Sequence, residues 1–211
     1  MAFQPKGIIP AMVTPITADG KINTEALRKL TNYLIEGGVH GLFPVGSQGE
    51  FYALTFEEKK KVLEVVVEET QGRVPVYAGT GAITTREAVA LTKMAESVGA
   101  SAVSVITPFF VHPSDAELLE YYTAVAKSTR LPVLLYNNPG RTGVNISADF
   151  VVKASKVDNI VGRMFSTGKI NNTAYTASVN LKEPKPIWPY LAWAVIILIL
   201  FESAVANRLK R

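Results

Sequence analysis

The sequence predicts an α/β chain: a partial (β/α)8 TIM barrel of about five and a half to six βα units, continued by a single transmembrane helix near the C-terminus. Three observations carry this expectation. Apolar, β-branched runs recur about every 30 residues, the spacing of a strand plus its return crossover. Amphipathic segments with marked starts and glycine stops lie between them, and a charge-free apolar run, Ile187–Phe201, stands near the end.

The runs are Gly7–Ile16, Gly41–Val45, Val74–Ala78, Ala102–Thr107, Val133–Asn137 and Ile160–Phe165. Continuous apolar runs of this kind suit strands buried on both faces. Gly37 and Gly38 are placed to close a helix before the second run. After it, "EEKKKVLEVVVEE" carries an apolar stripe opposite a charged one, opened by Thr55 with Glu58 and closed by Gly72. "REAVALTKMAESV" repeats the pattern between Thr84 with Glu87 and Gly99, and Ser114 with Glu117 opens the next helix. Each hydroxyl and carboxylate pair fits the capping box, in which the two side chains satisfy N–H groups left free in the first turn. Glycine after the last turn supplies the left-handed residue that helix ends often need. Strand and helix alternation implies a parallel sheet with right-handed crossovers.

Periodicity alone allows either a barrel or a doubly wound open sheet; the strand ends favour the barrel. They read "VTP", "VGSQGE", "AGTG", "TPFF" and "YNNPGRTG", rich in Gly, Pro, hydroxyl and aromatic residues. In a barrel such ends face one mouth, where reactive residues gather. No GxGxxG follows the first strand, which disfavours a dinucleotide fold.

Composition excludes several classes. With 0 Cys, neither a disulfide framework nor a thiolate metal site is available, and two histidines, His40 and His112, are too few for a metal cluster. Both read as ordinary loop residues, and no cofactor or metal is expected. The net charge of +4 is uneven: 16 Lys+Arg balance 16 Asp+Glu before Ser166, against 6 and 2 after it. A neutral body argues against nucleic acid as a partner.

Together "GSQGE" and "YNNPGRTG", about 90 residues apart, resemble the dihydrodipicolinate synthase and N-acetylneuraminate lyase family of Schiff-base aldolases, over Gly7 to about Gly162. The resemblance implies a carbon–carbon lyase acting on pyruvate or another 2-oxo acid, with a cytoplasmic body and homo-oligomers. It places Ser47 and Tyr136 in catalysis and Gln48, Gly49 and Arg141 in substrate binding. A glycine-rich turn can offer N–H groups and a hydroxyl to a carboxylate; the plainer reading of Ser47–Gly49 is a tight strand-to-helix turn. Tyr136 could relay protons to a carbinolamine, or simply cap the core. Arg141 would attract the acidic group of a second substrate, or be a surface arginine.

Three positions depart from the family pattern. Phe110 stands where its synthases carry a tyrosine lent across a subunit interface, and Gln48 where they carry threonine. Met164, in "GRMFSTGK", occupies the Schiff-base lysine position. A thioether cannot form an iminium, so inactivity is expected, and Lys169, five residues on, is not expected to substitute.

No motif matches the family beyond Gly168. The resulting division is 1–168 barrel body, 169–185 linker, 186–207 transmembrane helix and 208–211 basic tail. Residues 186–206 would span about 30 Å as a helix, with Trp188, Tyr190 and Trp193 as an aromatic belt and Arg208, Lys210 and Arg211 at the other end. The tail weakly resembles the C-terminal anchor of bacterial von Willebrand type A domain proteins and implies membrane association. Its basic end favours a cytoplasmic C-terminus, whereas "MAFQPKGIIPAMVTP" lacks a signal peptide's h-region. The alternative readings are a membrane-anchored, non-catalytic binding protein or a chimeric, frameshifted product.

Overall fold

A computed structural model describes residues 5–165, which belong to the first of the two units into which the chain divides, Met1–Lys169. Four parallel strands, β1 (Tyr77–Gly79), β2 (Ala102–Ile106), β3 (Val133–Asn137) and β4 (Ile160–Phe165), form a sheet in the order β1-β2-β3-β4. Helices α1 (Thr24–Glu36), α2 (Phe56–Thr70), α3 (Thr85–Ser97), α4 (Asp115–Lys127), α5 (Pro139–Thr142) and α6 (Ala148–Ala154) fill the connections. This is the partial barrel-like α/β fold that the strand and helix alternation predicts.

The first two apolar runs join the ladder only through isolated parallel bridges, Ala11 with Phe43 and Leu42 with Val76. Prolines explain the difference. Pro10, Pro44 and Pro75 have no N–H to donate, yet their carbonyls accept from Phe43, Gly79 and Leu42 at 3.0, 3.1 and 3.0 Å. The ladder is therefore continuous but one-sided at each proline. His40 tightens the same edge, its backbone N–H donating to the Ile8 carbonyl and its Nδ1 accepting from Ile8 N–H.

Register sorts each strand into two faces. Ser104 pairs with Leu134 and Leu134 with Gly162; two residues on, Ile106 pairs with Tyr136 and Tyr136 with Met164. These residues share the inner face, because alternate strand residues point the same way. Val103, Val105, Val133 and Leu135 point outward and are fully buried beneath the helices. Tyr122 of α4 ties the layers, its hydroxyl donating to the Val105 carbonyl at 3.1 Å.

Thr55 and Ser114 make complete capping boxes with Glu58 and Glu117. Thr84 makes only half of one: it accepts from Glu87 N–H, while the Glu87 carboxylate lies 3.9 Å from the amine of the buried Lys59. Gly38, Gly72 and Gly99 take positive φ at helix ends, and Gln71 is left-handed as well.

The complete boxes predict an acid-side dependence of stability. Thr55 N–H, then its hydroxyl, hold the Glu58 carboxyl below the ordinary 4.5; the Ser114 hydroxyl, then its N–H, do the same for Glu117. A carboxyl depressed on folding stabilises the protein above the unfolded pKa and loses that contribution as pH falls through the folded one. Urea midpoints of a Glu58→Gln/Glu117→Gln variant should lie below those of the native protein at neutral pH and converge with them as pH falls below 4.5.

Among the described residues no helix is long and apolar enough to cross a membrane. The expected linker, transmembrane helix and basic tail, 169–211, lie outside the described residues.

Candidate active site

Tyr136 reaches the inner face because β3 alternates, and its ring is held there by an edge contact with Phe43, centroids 5.6 Å apart. It is 5% exposed. The turn that meets it is built from strained backbone. Val45, β-branched and fully buried, adopts φ 58, a conformation that costs about 1–3 kcal/mol and persists only where the surroundings over-determine it. They do so here: Gly79 donates to the Pro44 carbonyl, and the Gly79 Cα lies so close that a Cβ there would overlap the Val45 carbonyl oxygen.

The chain then tightens into a 3-10 turn, Ser47–Gly49, and Glu50 is again left-handed at φ 53. Thr14 pins the turn by donating to the Gly49 carbonyl at 2.8 Å. Ser47 Oγ consequently stands 3.4 Å from Tyr136 Oη. Asn138 Nδ2 donates to the same phenol oxygen at 3.2 Å.

Of the residues expected from sequence, the structure brings Ser47, Tyr136 and Met164 to the inner side of one sheet. Gly49 is buried against Met12 and Thr14, and its N–H donates to the Gly46 carbonyl at 3.0 Å. Within the turn, therefore, the Gly49 N–H is already spent on a backbone carbonyl. Gln48 is exposed. Arg141 is exposed on α5, whose start is set by Pro139 and whose end is set by Gly143 at φ 72. The imidazole of His112 covers Gly143, where a Cβ would strike its Nε2.

Met164 is half-buried. Its Sδ accepts a hydrogen bond from the buried Ser104 hydroxyl at 3.6 Å. Among the described residues, the inner faces of β1 to β4 carry no lysine. Phe110 is 90% exposed with φ 73, whereas its neighbour Phe109 packs on Phe51 at 5.5 Å. Between Phe43, Val45, Phe51, Gly79, Ser104 and Tyr136 lies a cavity of about 10 Å³, room for about one water. No cluster of three or more His, Asp or Glu among the described residues could hold a metal ion.

Two hydrogen-bond partners of these side chains escaped the motif reading. Ser104 is the one hydroxyl in the strand "AVSVI", a polar residue in an apolar run, and that was a usable signal. Asn138 reads as a helix cap before Pro139, so nothing in its local pattern points to Tyr136. The chemistry available is that of a hydroxyl chain, Asn138 to Tyr136 to Ser47, facing a thioether. It can orient and polarise a carbonyl or carboxylate, and among the described residues it includes no amine.

Residues 4–183 match the Dihydrodipicolinate synthetase family, past Gly168, the last residue the motifs reach. A 4-hydroxy-tetrahydrodipicolinate synthase of Magnetococcus marinus is 46% identical over 169 residues, 80% of this chain and 58% of the relative. Another, of Phenylobacterium zucineum, is 42% identical over 170 residues, again 58% of its length. The chain thus spans little more than half the length of the curated relatives it matches. A dihydrodipicolinate synthase of Acinetobacter baumannii solved with pyruvate superposes with a TM-score of 0.75 at 41% identity, covering 78% of this chain and 56% of that one. A prophage protein of E. coli K12 from the dihydrodipicolinic acid synthase family, also complexed with pyruvate, superposes with a TM-score of 0.75 at 38% identity, covering 77% and 55%. A family match over most of the sequence, with these superpositions on the same parallel ladder, means that the chain belongs to the dihydrodipicolinate synthetase family.

Proposed function

We propose that this chain binds pyruvate or a related 2-oxo acid at the Ser47–Tyr136 mouth without forming a Schiff base. One observation carries the proposal: Met164, in register with Tyr136 on the inner face, stands where the family's resemblance calls for the attacking lysine. The lyase chemistry of its relatives needs an amine to add to the carbonyl carbon and lose water, leaving an iminium that accepts electrons. A thioether has no N–H to lose. The Ser47 and Tyr136 hydroxyls remain to hold the ligand's oxygens. Arg141, exposed on α5, would draw in a second acidic group through its guanidinium. Gln48 and Phe110 depart from the synthase pattern, so the ligand class is 2-oxo acids in general rather than the synthase's own substrate pair.

The test is incubation of the full chain with pyruvate and borohydride, followed by intact-mass analysis, beside saturation-transfer NMR of pyruvate. We expect an unmodified mass, together with a saturable pyruvate signal that Tyr136→Phe and Ser47→Ala weaken. A reduced pyruvyl adduct would overturn the non-covalent mode, and absence of any pyruvate signal would overturn the ligand.

A further inference from the structure

We propose that Asn138 is a positioning residue that fixes the direction of the Tyr136 proton and so makes Tyr136 a donor toward the bound ligand; the ligand's identity rests on the reading above. Asn138 is the N-cap of α5, a position where an asparagine oxygen ordinarily accepts from the second or third N–H of the helix. Here it makes no side-chain cap bond. Its backbone carbonyl takes the Arg141 N–H instead, at 3.0 Å, beside the ordinary first helical bond from Thr142 N–H at 3.0 Å and a bond from the Thr142 hydroxyl at 3.1 Å. The side chain, 7% exposed, is turned to Tyr136 Oη at 3.2 Å. A local preference has been given up for a contact in the candidate site, which is where such departures are expected.

The consequence follows from donor counting. An amide NH2 can only donate, and a phenol has one proton and accepts through its lone pairs. With Asn138 occupying a lone pair, the Tyr136 proton is directed away from Asn138, toward Ser47 Oγ at 3.4 Å or toward a ligand oxygen that takes that place. Ser47, whose hydroxyl rotates, can accept from Tyr136 when the site is empty and turn to the ligand when it is filled.

Two substitutions separate this role from a structural one. Asn138→Asp is nearly isosteric and an equally good N-cap, but its carboxylate accepts where the amide donated and captures the Tyr136 proton. Asn138→Leu removes the donor without capturing the proton. We expect pyruvate binding to weaken by about tenfold in the Asp variant, a loss of the size of one well-placed hydrogen bond, and by less in the Leu variant. A purely structural role predicts the reverse order, Asp like native and Leu worst, and that order would overturn the proposal. A second readout needs no ligand: hydrogen exchange of the Asn138 side-chain NH2 should be slower in the native protein than in Tyr136→Phe, and equal rates would also overturn it. If native protein shows no pyruvate binding, the proposed function fails, while the exchange comparison still decides whether Asn138 donates to Tyr136.

Discussion

Gly79→Ala is expected to lower stability by about 3 kcal/mol, the upper part of the usual range for forcing a methyl group into packed surroundings. The added Cβ meets backbone, the Val45 carbonyl and Gly46 N–H, rather than the yielding end of a side chain. Relief requires moving Pro44–Gly46 as a unit. That segment already carries the strain of Val45 at φ 58, and its movement would break the Gly79 to Pro44 hydrogen bond at 3.1 Å. It would also carry Ser47 away from Tyr136, so pyruvate binding should fall along with stability. Gly162→Ala is the control. Gly162 shares the inner face, has an ordinary φ, and a Cβ there meets nothing within 4 Å. Its replacement should be neutral or stabilise by about 0.5 kcal/mol, through the reduced freedom of the unfolded chain. Urea midpoints of the two variants against native protein measure both effects. Equal midpoints would show that Val45 can relax its carbonyl away from β1 at little cost.

That contact also marks the limit of what the sequence discloses. The six runs were legible because Val, Ile and Leu recur at strand length, and the capping boxes at Thr55 and Ser114 because hydroxyl and carboxylate stand three apart. The same pattern at Thr84 formed by half, since Glu87 had a second suitor in Lys59. No local rule anticipates a long-range competitor. Val45 was illegible for a related reason. A β-branched residue resists positive φ, and only the close passage of Gly79, 34 residues later, imposes it. The site divides in the same manner. Ser47 and Tyr136, named from motifs at strand ends where the fold class itself says to look, lie 3.4 Å apart. Ser104 and Asn138 reach Met164 and Tyr136 through register and through a forgone cap, which depend on which strands become neighbours.

Met164→Lys is expected to convert a protein that pyruvate and borohydride leave unmodified into one that they label at residue 164. The substitution asks little of the fold. Methionine and lysine are both unbranched, and position 164 is only half-buried, so the longer stem can run along the inner face with its amine at the mouth. Phe43 and Ile106 on the same face offer poor solvation to an ammonium. Desolvation favours the neutral amine, and the neutral amine is the nucleophile. Its nitrogen would add to the carbonyl carbon, and the carbinolamine would then expel water to give the iminium. Borohydride reduces that to a stable secondary amine. Tyr136, paired directly with residue 164, is placed to shuttle the protons of addition and dehydration. Adding Tyr136→Phe should therefore slow labelling by about 10²-fold, the lower end of what a positioned acid–base group contributes. Peptide mapping must put the adduct on residue 164; labelling elsewhere, on Lys59 for instance, would show only that an amine is reactive. A folded Met164→Lys protein that binds pyruvate but takes no label would mean that the six-run ladder holds the ligand without aligning its carbonyl on β4. The chemistry would then require more of the inner face than the described residues build.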